Sequence, residues 1–190
     1  MRKCDRMNIV VYCGSSSGIG NNYMESARIL GKWIGESGNT LVYGGASKGL
    51  MGAVSNATLE AGGKVIGVLP DVPQIQARRH PGLTEYIDTP SMAERKARMI
   101  ELADAFVALP GGIGTLDELT EVLSLSSLDI TGCPIVLYDT DGYYQPFKAV
   151  IRNIVENGFG RNEYFSKMLF SEYIKEIAEF IEKNGAKKTN

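Results

Sequence analysis

Short apolar runs alternate with longer helical patterns along this 190-residue chain. The runs are almost continuously apolar rather than apolar at every second residue, which is typical of strands covered on both faces. Five of them predict buried strands: Ile9–Cys13, Thr40–Tyr43, Lys64–Leu69, Ala105–Leu109 and Pro134–Tyr138. A shorter extended run, Glu85–Thr89, is predicted at the edge of the sheet. The alternation predicts an α/β fold with one doubly wound parallel sheet and helices on both faces.

The ends of the predicted helices are marked by glycines and capping residues. Three helical patterns each precede a glycine, which adopts the left-handed conformation that ends a helix at low cost. These are Asn21–Ser37 before Gly38, Gly49–Ala61 before Gly62, and Tyr143–Asn157 before Gly158. A Ser or Thr followed three residues later by Glu predicts capping boxes at Ser91–Glu94 and Thr115–Glu118. Ser171 is predicted to cap a last helix that ends near Lys183.

The length of the chain suits one compact domain, which we expect to span residues 1–190 with flexible ends at 1–7 and 185–190. A net charge of −2 gives no electrostatic footprint for nucleic acid. No segment approaches the ~20 apolar residues of a membrane span, and the first apolar run is too short for a signal-peptide core. We therefore expect a cytoplasmic protein without a nucleic-acid or membrane partner.

The residues that commonly bind metals are few and widely spaced. The chain has a single histidine, His80, and three cysteines, Cys4, Cys13 and Cys133. Cys13 and Cys133 lie in apolar runs, where a buried, unreactive thiol is expected. None of these residues has the spacing of a metal site, so no metal is predicted.

The segment after the fourth long strand is the most informative for function. Three glycines follow that strand within four residues, and a helix then begins. Glycines allow a ligand to approach the backbone, and a helix N-terminus offers unpaired N–H groups to a phosphate. The residues concerned are Gly111, Gly112, Ile113, Gly114 and Thr115. The alternative is a tight turn that needs glycine for its geometry alone; the position at the carboxyl end of a strand favours phosphate binding.

Two further glycine turns follow the first and second strands. The first carries Gly14, Ser15 and Ser16, and the second carries Gly44 and Gly45. Hydroxyls and unhindered amides in such turns can bind phosphate or ribose. Because the carboxyl ends of parallel strands share one edge, all three loops are expected to meet there.

Charged residues near these loops allow two interpretations. Glu118 either closes the capping box of Thr115 or acts in catalysis, and Glu121 lies one turn further along the same helix face. Arg95 and Lys96 fall near a helix N-terminus, which is unfavourable for cations. They either pair with a ligand or carboxylate or lie on a solvated helix face. A separate segment, Arg78–His80, is interpreted as a solvated loop, with a second phosphate contact as the alternative.

A short-chain dehydrogenase is the enzymatic alternative. The turn Gly14–Gly20 has that family's glycine spacing, and Tyr144 with Lys148 supplies a Tyr-x-x-x-Lys pair. No acidic residue or arginine follows the second strand to bind an adenosine ribose. Pro146 lies between the pair and suits only the first turn of a helix. These features disfavour an NAD(P) oxidoreductase.

The motifs taken together resemble the LOG family of cytokinin riboside 5′-monophosphate phosphoribohydrolases. The residues that carry the resemblance are Cys13–Ser16, Tyr43–Gly45, Gly49–Gly52, Glu94–Lys96 and Pro110–Glu118. The resemblance implies a Rossmann-like homodimer that cleaves cytokinin nucleotides, and often AMP, to the free base and ribose 5-phosphate without a cofactor. It implies Arg95 and Glu118 as the catalytic pair. The expected substrate contacts are Gly14, Ser15, Ser16, Gly44, Gly45, Met92, Lys96, Gly111 to Thr115, and Glu121.

The chain departs from the family pattern in two places. Ala46 stands where a glycine is usual, and the residues Gln76–Arg79 before His80 contain no acid. Plain and prenylated adenine therefore both remain candidate bases. The non-enzymatic alternative is a nucleotide sensor with the same cavity, and the retained Arg95 and Glu118 favour an enzyme over it.

Overall fold

The computed structural model describes residues 6–161 and 163–185, and in them every strand pairs in parallel with its neighbours. The strands are β1 (Asn8–Tyr12), β2 (Thr40–Tyr43), β3 (Lys64–Pro70), β4 (Glu85–Thr89), β5 (Ala105–Ala108), β6 (Ile135–Tyr138) and β7 (Met168–Ser171). Their order across the sheet is β4-β3-β2-β1-β5-β6-β7. The predicted parallel α/β fold is confirmed, and β4 lies at the sheet edge as expected.

The helices alternate with these strands. They are α1 (Asn22–Glu36), α2 (Gly49–Glu60), α3 (Pro73–Gln76), α4 (Met92–Leu102), α5 (Ile113–Ser127), α6 (Gln145–Glu156), α7 (Glu163–Ser166) and α8 (Ile174–Asn184). Gly38, Gly62 and Gly158 have positive φ angles of 73°, 78° and 78°, so the predicted glycine stops are confirmed. In the described part of the chain, no helix is both long enough and apolar enough to cross a membrane.

Burial on both faces of the sheet explains the continuous apolar runs. Successive residues of β1 point to opposite faces, so Ile9 and Val11 belong to one core cluster while Val10 and Tyr12 belong to the other. Residues of α1, α2 and α8 complete the first cluster, and residues of α4, α5 and α6 complete the second. A strand placed between two helical layers has no polar face, which is why periodicity of two is absent from its sequence.

Several sequence expectations differ from the structure near the C-terminus. The strand β7 was missed because it is a four-residue edge strand with no distinctive pattern. Ser171 ends this strand and is not the cap of α8, because that helix is preceded by Tyr173. The Ser171 hydroxyl instead accepts from the Tyr173 N–H and donates to Glu176. Of the expected flexible ends, residues 1–5, including Cys4, and 186–190 lie outside the described residues.

The two helices that flank β2 in sequence, α1 and α2, approach each other closely at glycines. A Cβ atom on Gly31 would overlap the carbonyl oxygen of Val54, and one on Gly35 would lie 2.6 Å from the Cβ of Ala61. Both glycines are buried. The backbone of α2 therefore occupies the space that a side chain on α1 would need.

We expect Gly31→Ala to lower the free energy of unfolding by about 1–3 kcal/mol, the usual cost of overpacking a core. In an exposed helix the same change would stabilise by up to about 1 kcal/mol, so the sign distinguishes the two effects. Urea unfolding measures the difference. The matched control is Gly132→Ala, since a Cβ atom there meets nothing within 4 Å. A Gly31→Ala protein as stable as the parent would contradict the close helix contact.

Candidate active site

A cavity of about 550 Å³ opens at the carboxyl ends of the central strands. Its wall combines the loops after β1, β2 and β5 with residues from α3, α4 and α5. Eleven of the predicted site residues line it: Gly14, Ser15, Ser16, Gly44, Met92, Arg95, Gly111, Gly112, Gly114, Thr115 and Glu118. The three glycine loops therefore meet at one edge of the sheet, as their positions after parallel strands predict.

The loop between β5 and α5 is shaped by its glycines. The helix begins at Ile113 with Gly112 as its N-cap, so its first N–H groups have no partner within the helix. A Cβ atom on Gly111 would overlap the Thr115 side chain and would lie 2.9 Å from the Gly14 nitrogen. Only glycine fits at this position. The loop thus brings the positive end of α5 to the cavity wall.

The predicted capping box at Thr115–Glu118 is wrong. Because the N-cap of the helix is Gly112, three residues earlier than the predicted Thr115, Thr115 lies inside the first turn and is buried. The other predicted box is confirmed at its N-cap, where the Ser91 hydroxyl accepts from the Glu94 N–H. The side chain of Glu118 is consequently free of a capping role and makes a different contact.

A second helix N-terminus, that of α2, lies beside the cavity but is already occupied. The N–H of Leu50 donates to the Ser16 carbonyl, and that of Met51 donates to the Gly14 carbonyl. These bonds hold the loop after β1 against α2. Of the two helix ends, α5 therefore offers the better site for an anion.

Arg95 and Glu118 form a buried ion pair across the cavity wall. The Arg95 Nη1 lies 2.7 Å from the Glu118 Oε1, and the two residues are 5% and 6% exposed. The Arg95 Nε donates to the Val68 carbonyl at the end of β3. A Cβ atom on Gly44 would lie 2.5 Å from the Arg95 Nη2, so glycine leaves room for the guanidinium. The interpretation of Arg95 as part of a solvated helix face is wrong.

The electrostatic surroundings of Glu118 favour a basic carboxylate. Burial raises the pKa of Glu118, and the neighbouring Arg95 opposes that rise. Burial also raises the pKa of Tyr12 and of Cys13, so both stay neutral beside it. Cys13 and Cys133 are buried, as predicted. A carboxylate with a raised pKa accepts a proton more readily than an exposed one.

The remaining predicted contacts lie outside the cavity wall. Lys96 Nζ is 3.0 Å from carboxylate oxygens of Asp117 and Glu121, and these hydrogen bonds raise the pKa of Lys96. Of these three residues, Asp117 lines the cavity. Ile113 is 81% exposed, and Gly45 turns the chain at a φ of 77°. The structure therefore does not bring Gly45, Lys96, Ile113 and Glu121 to the wall itself.

Several residues of the cavity wall were not predicted from sequence. Arg78 lines the cavity, so the solvated loop that was favoured over a phosphate contact for its segment is wrong there, and His80 from the same segment is buried. Backbone bonds from Ser47 to Arg78 and from His80 to Gly45 fold this segment over the loop after β2. Other unpredicted wall residues are Tyr23, Ala46, Leu50, Met51, Ile75 and Tyr143. Leu50 and Met51 belong to the Gly49–Gly52 motif and Ala46 follows the second glycine turn, whereas no local pattern marks Tyr23, Ile75 and Tyr143 as wall residues.

The structure removes the dehydrogenase alternative. Tyr144 is 1% exposed, and its hydroxyl donates to the Leu109 carbonyl beneath the cavity. Lys148 lies over the ring of Phe170. Pro146 occupies the first turn of α6, as its ring requires. The tyrosine and lysine therefore have structural contacts and no access to a ligand in the cavity.

Fold and site together place this chain among the Rossmann-like α/β proteins, and comparison with known proteins identifies the family. Residues 51–181 match the family model described as "Possible lysine decarboxylase". A Rhodococcoides fascians protein named "Cytokinin riboside 5'-monophosphate phosphoribohydrolase" is 44% identical over 80% of this chain and 77% of its own length. An Oryza sativa subsp. japonica relative, "Cytokinin riboside 5'-monophosphate phosphoribohydrolase LOG", is 42% identical over 91% and 73%. The chain belongs to this LOG family.

Solved structures support the same architecture. The molybdenum cofactor binding protein of Rippkaea orientalis aligns with a TM-score of 0.72 and 22% identity, covering 94% of this chain and 97% of that one. A structure titled TM1055 aligns with a TM-score of 0.72 and 24% identity over 93% and 99%. At these identities the likeness concerns the fold alone.

The buried ion pair predicts how the free energy of unfolding of an Arg95 variant depends on pH. Arg95→Met leaves the Glu118 carboxylate buried without its cation, which should cost about 3–5 kcal/mol at pH 8. The pKa of Glu118 then rises further, so the folded protein binds that proton more tightly than the unfolded chain. The destabilisation caused by Arg95→Met should therefore become smaller as the pH falls toward the ordinary glutamate pKa of about 4.3, because protonation removes the buried charge.

Urea unfolding of Arg95→Met at pH 5 and pH 8 measures this effect. The double variant Arg95→Met/Glu118→Gln is the control, because it has no buried carboxylate and should lose the added pH dependence. An equal loss of stability at both pH values would show that Glu118 is not held charged by Arg95.

Proposed function

We propose that this chain hydrolyses the N-glycosidic bond of an adenine-type nucleoside 5′-monophosphate, either AMP or a cytokinin riboside 5′-monophosphate. The products are the free base and ribose 5-phosphate. The observation that carries the proposal is a buried carboxylate, Glu118, held by Arg95 in the wall of the cavity that the phosphate-type glycine loop also lines. The names of the relatives at 42–44% identity support the same reaction.

The order of the strands supports one orientation of the substrate. The 5′-phosphate binds at the N-terminus of α5, beyond β5 and beside the loop after β1. The base lies over β2 and β3, because the helices that follow β2, β3 and β4 contribute the apolar wall residues Met51, Ile75 and Met92. Strands β5 and β2 are two positions apart, or about 10 Å. The ribose then lies between these ends, next to Glu118.

The reaction needs a negative charge beside the anomeric carbon. Cleavage passes through an oxocarbenium-like sugar, and a carboxylate stabilises its developing positive charge. The water oxygen bonds to the anomeric carbon while the bond to the base nitrogen breaks. Glu118 takes the proton of the water, and the departing base takes a proton from solvent. Arg95 keeps Glu118 in place through a charge-assisted hydrogen bond, and binding of the remote phosphate aligns the scissile bond.

The proposal includes no cofactor and no metal, because a carboxylate suffices to stabilise positive charge on the sugar. It also includes a single-domain homodimer in the cytoplasm, on the basis of the family resemblance. Exposed apolar side chains at Leu128, Ile130 and Phe159 provide surface that such a dimer could bury.

We expect Glu118→Gln to reduce turnover by about 10²-fold or more while largely preserving substrate affinity, because the amide can neither carry the charge nor take the proton. The assay is incubation with AMP and with isopentenyladenosine monophosphate, followed by chromatography for the free base. Glu60→Gln, at an exposed position on α2, is the control.

Two results would argue against this function. Turnover like that of the parent in Glu118→Gln would remove the glutamate from the chemistry. Binding of both nucleotides by the parent protein without release of base would favour a nucleotide sensor.

A further inference from the structure

We propose that Tyr143 is a positioning residue that holds the phosphate-binding loop in its anion-accepting conformation. The hydroxyl of Tyr143 donates to the Gly111 carbonyl at 2.6 Å, and the side chain lines the cavity. This inference rests on the proposed function only in assigning a phosphate to the N-terminus of α5.

Three successive carbonyls of the loop are bound by groups from outside it. Leu109 accepts from the Tyr144 hydroxyl at 2.8 Å, Pro110 accepts from the Gly14 N–H at 3.1 Å, and Gly111 accepts from Tyr143. A carbonyl oxygen turned toward a phosphate would repel it, because both carry negative charge. Fixing all three carbonyls on protein donors leaves the following N–H groups of the loop and helix for the ligand.

Of these three carbonyls, that of Gly111 is the one held by a partly exposed side chain, Tyr143. Gly111 and Gly112 have no side chains to restrict their rotation. The peptide bond between them is planar, so fixing the Gly111 oxygen also fixes the direction of the Gly112 N–H. Loss of the Tyr143 hydroxyl would therefore let this peptide rotate.

Aromatic contacts hold the Tyr143 ring in place independently of its hydroxyl. Its ring lies edge-on to Tyr144 at 5.1 Å and to Tyr23 at 5.8 Å between ring centres. Tyr143 is 39% exposed, whereas Tyr144 is buried. Tyr143→Phe thus removes one hydrogen bond to the loop and preserves the ring packing.

The experiment measures binding of two ligands that the enzyme does not consume. Ribose 5-phosphate tests the phosphate end of the cavity, and adenine tests the base end. We expect Tyr143→Phe to raise the dissociation constant of ribose 5-phosphate by about 3–10-fold, the effect of one net hydrogen bond. The dissociation constant of adenine should stay within twofold. In the nucleotide assay KM should rise while kcat changes less than twofold.

Calorimetric titration gives both constants, and Tyr173→Phe, an exposed tyrosine outside the cavity wall, is the control. An unchanged affinity for ribose 5-phosphate, or an equal loss for both ligands, would overturn the positioning role. Failure of the parent protein to bind ribose 5-phosphate would overturn it as well. If the parent binds both ligands without cleaving nucleotides, the hydrolase proposal fails while the selective loss in Tyr143→Phe still supports the positioning role.

Discussion

The buried contact between Arg95 and Glu118 connects the two helices that form one side of the cavity. The Arg95 guanidinium also donates to the carbonyl of Val68, so the Arg95 side chain links α4, α5 and the end of β3. Removing both charged groups from water is costly, and the pair repays that cost only while its geometry is maintained. Gly44 leaves the space that this geometry requires. The position of the proposed catalytic carboxylate therefore depends on residues from four separate segments.

The cavity separates two kinds of recognition along the sheet. Glycine loops and a helix N-terminus provide backbone N–H groups at one end, where a phosphate is proposed to bind. The helices that follow β2, β3 and β4 contribute the apolar wall residues Met51, Ile75 and Met92, on the side where the base is proposed to bind. Because the α2 N-terminus is occupied by carbonyls of the loop after β1, the proposed phosphate site is placed at the N-terminus of α5. The proposed reaction centre lies between these ends, where a buried carboxylate can act on the sugar.

Local patterns predicted the strands well and the helix starts less well. Continuous apolar runs located five strands within one residue at either end: β1, β2, β3, β5 and β6. Because these strands are buried on both faces, nearly all their side chains are apolar and the runs stand out in the sequence. Spacing alone could not separate capping from ion pairing at Glu118. That choice depended on Gly112 starting α5 early and on Arg95 approaching from another helix. No local sequence pattern shows that Arg78 and Tyr143 line the cavity. Hydrogen bonds with residues distant in the chain, Ser47 and Gly111 respectively, hold them there.

The sequence by itself determined the α/β alternation, the parallel sheet and the positions of three glycine loops at the carboxyl ends of strands. These follow from burial and from backbone restrictions, which act on neighbouring residues. Only the tertiary structure decided which helix N-terminus stays open, which carboxylate is buried, and which tyrosine holds the loop. Those outcomes depend on atoms far apart in the chain whose charges and hydrogen bonds are satisfied only after the segments have packed together.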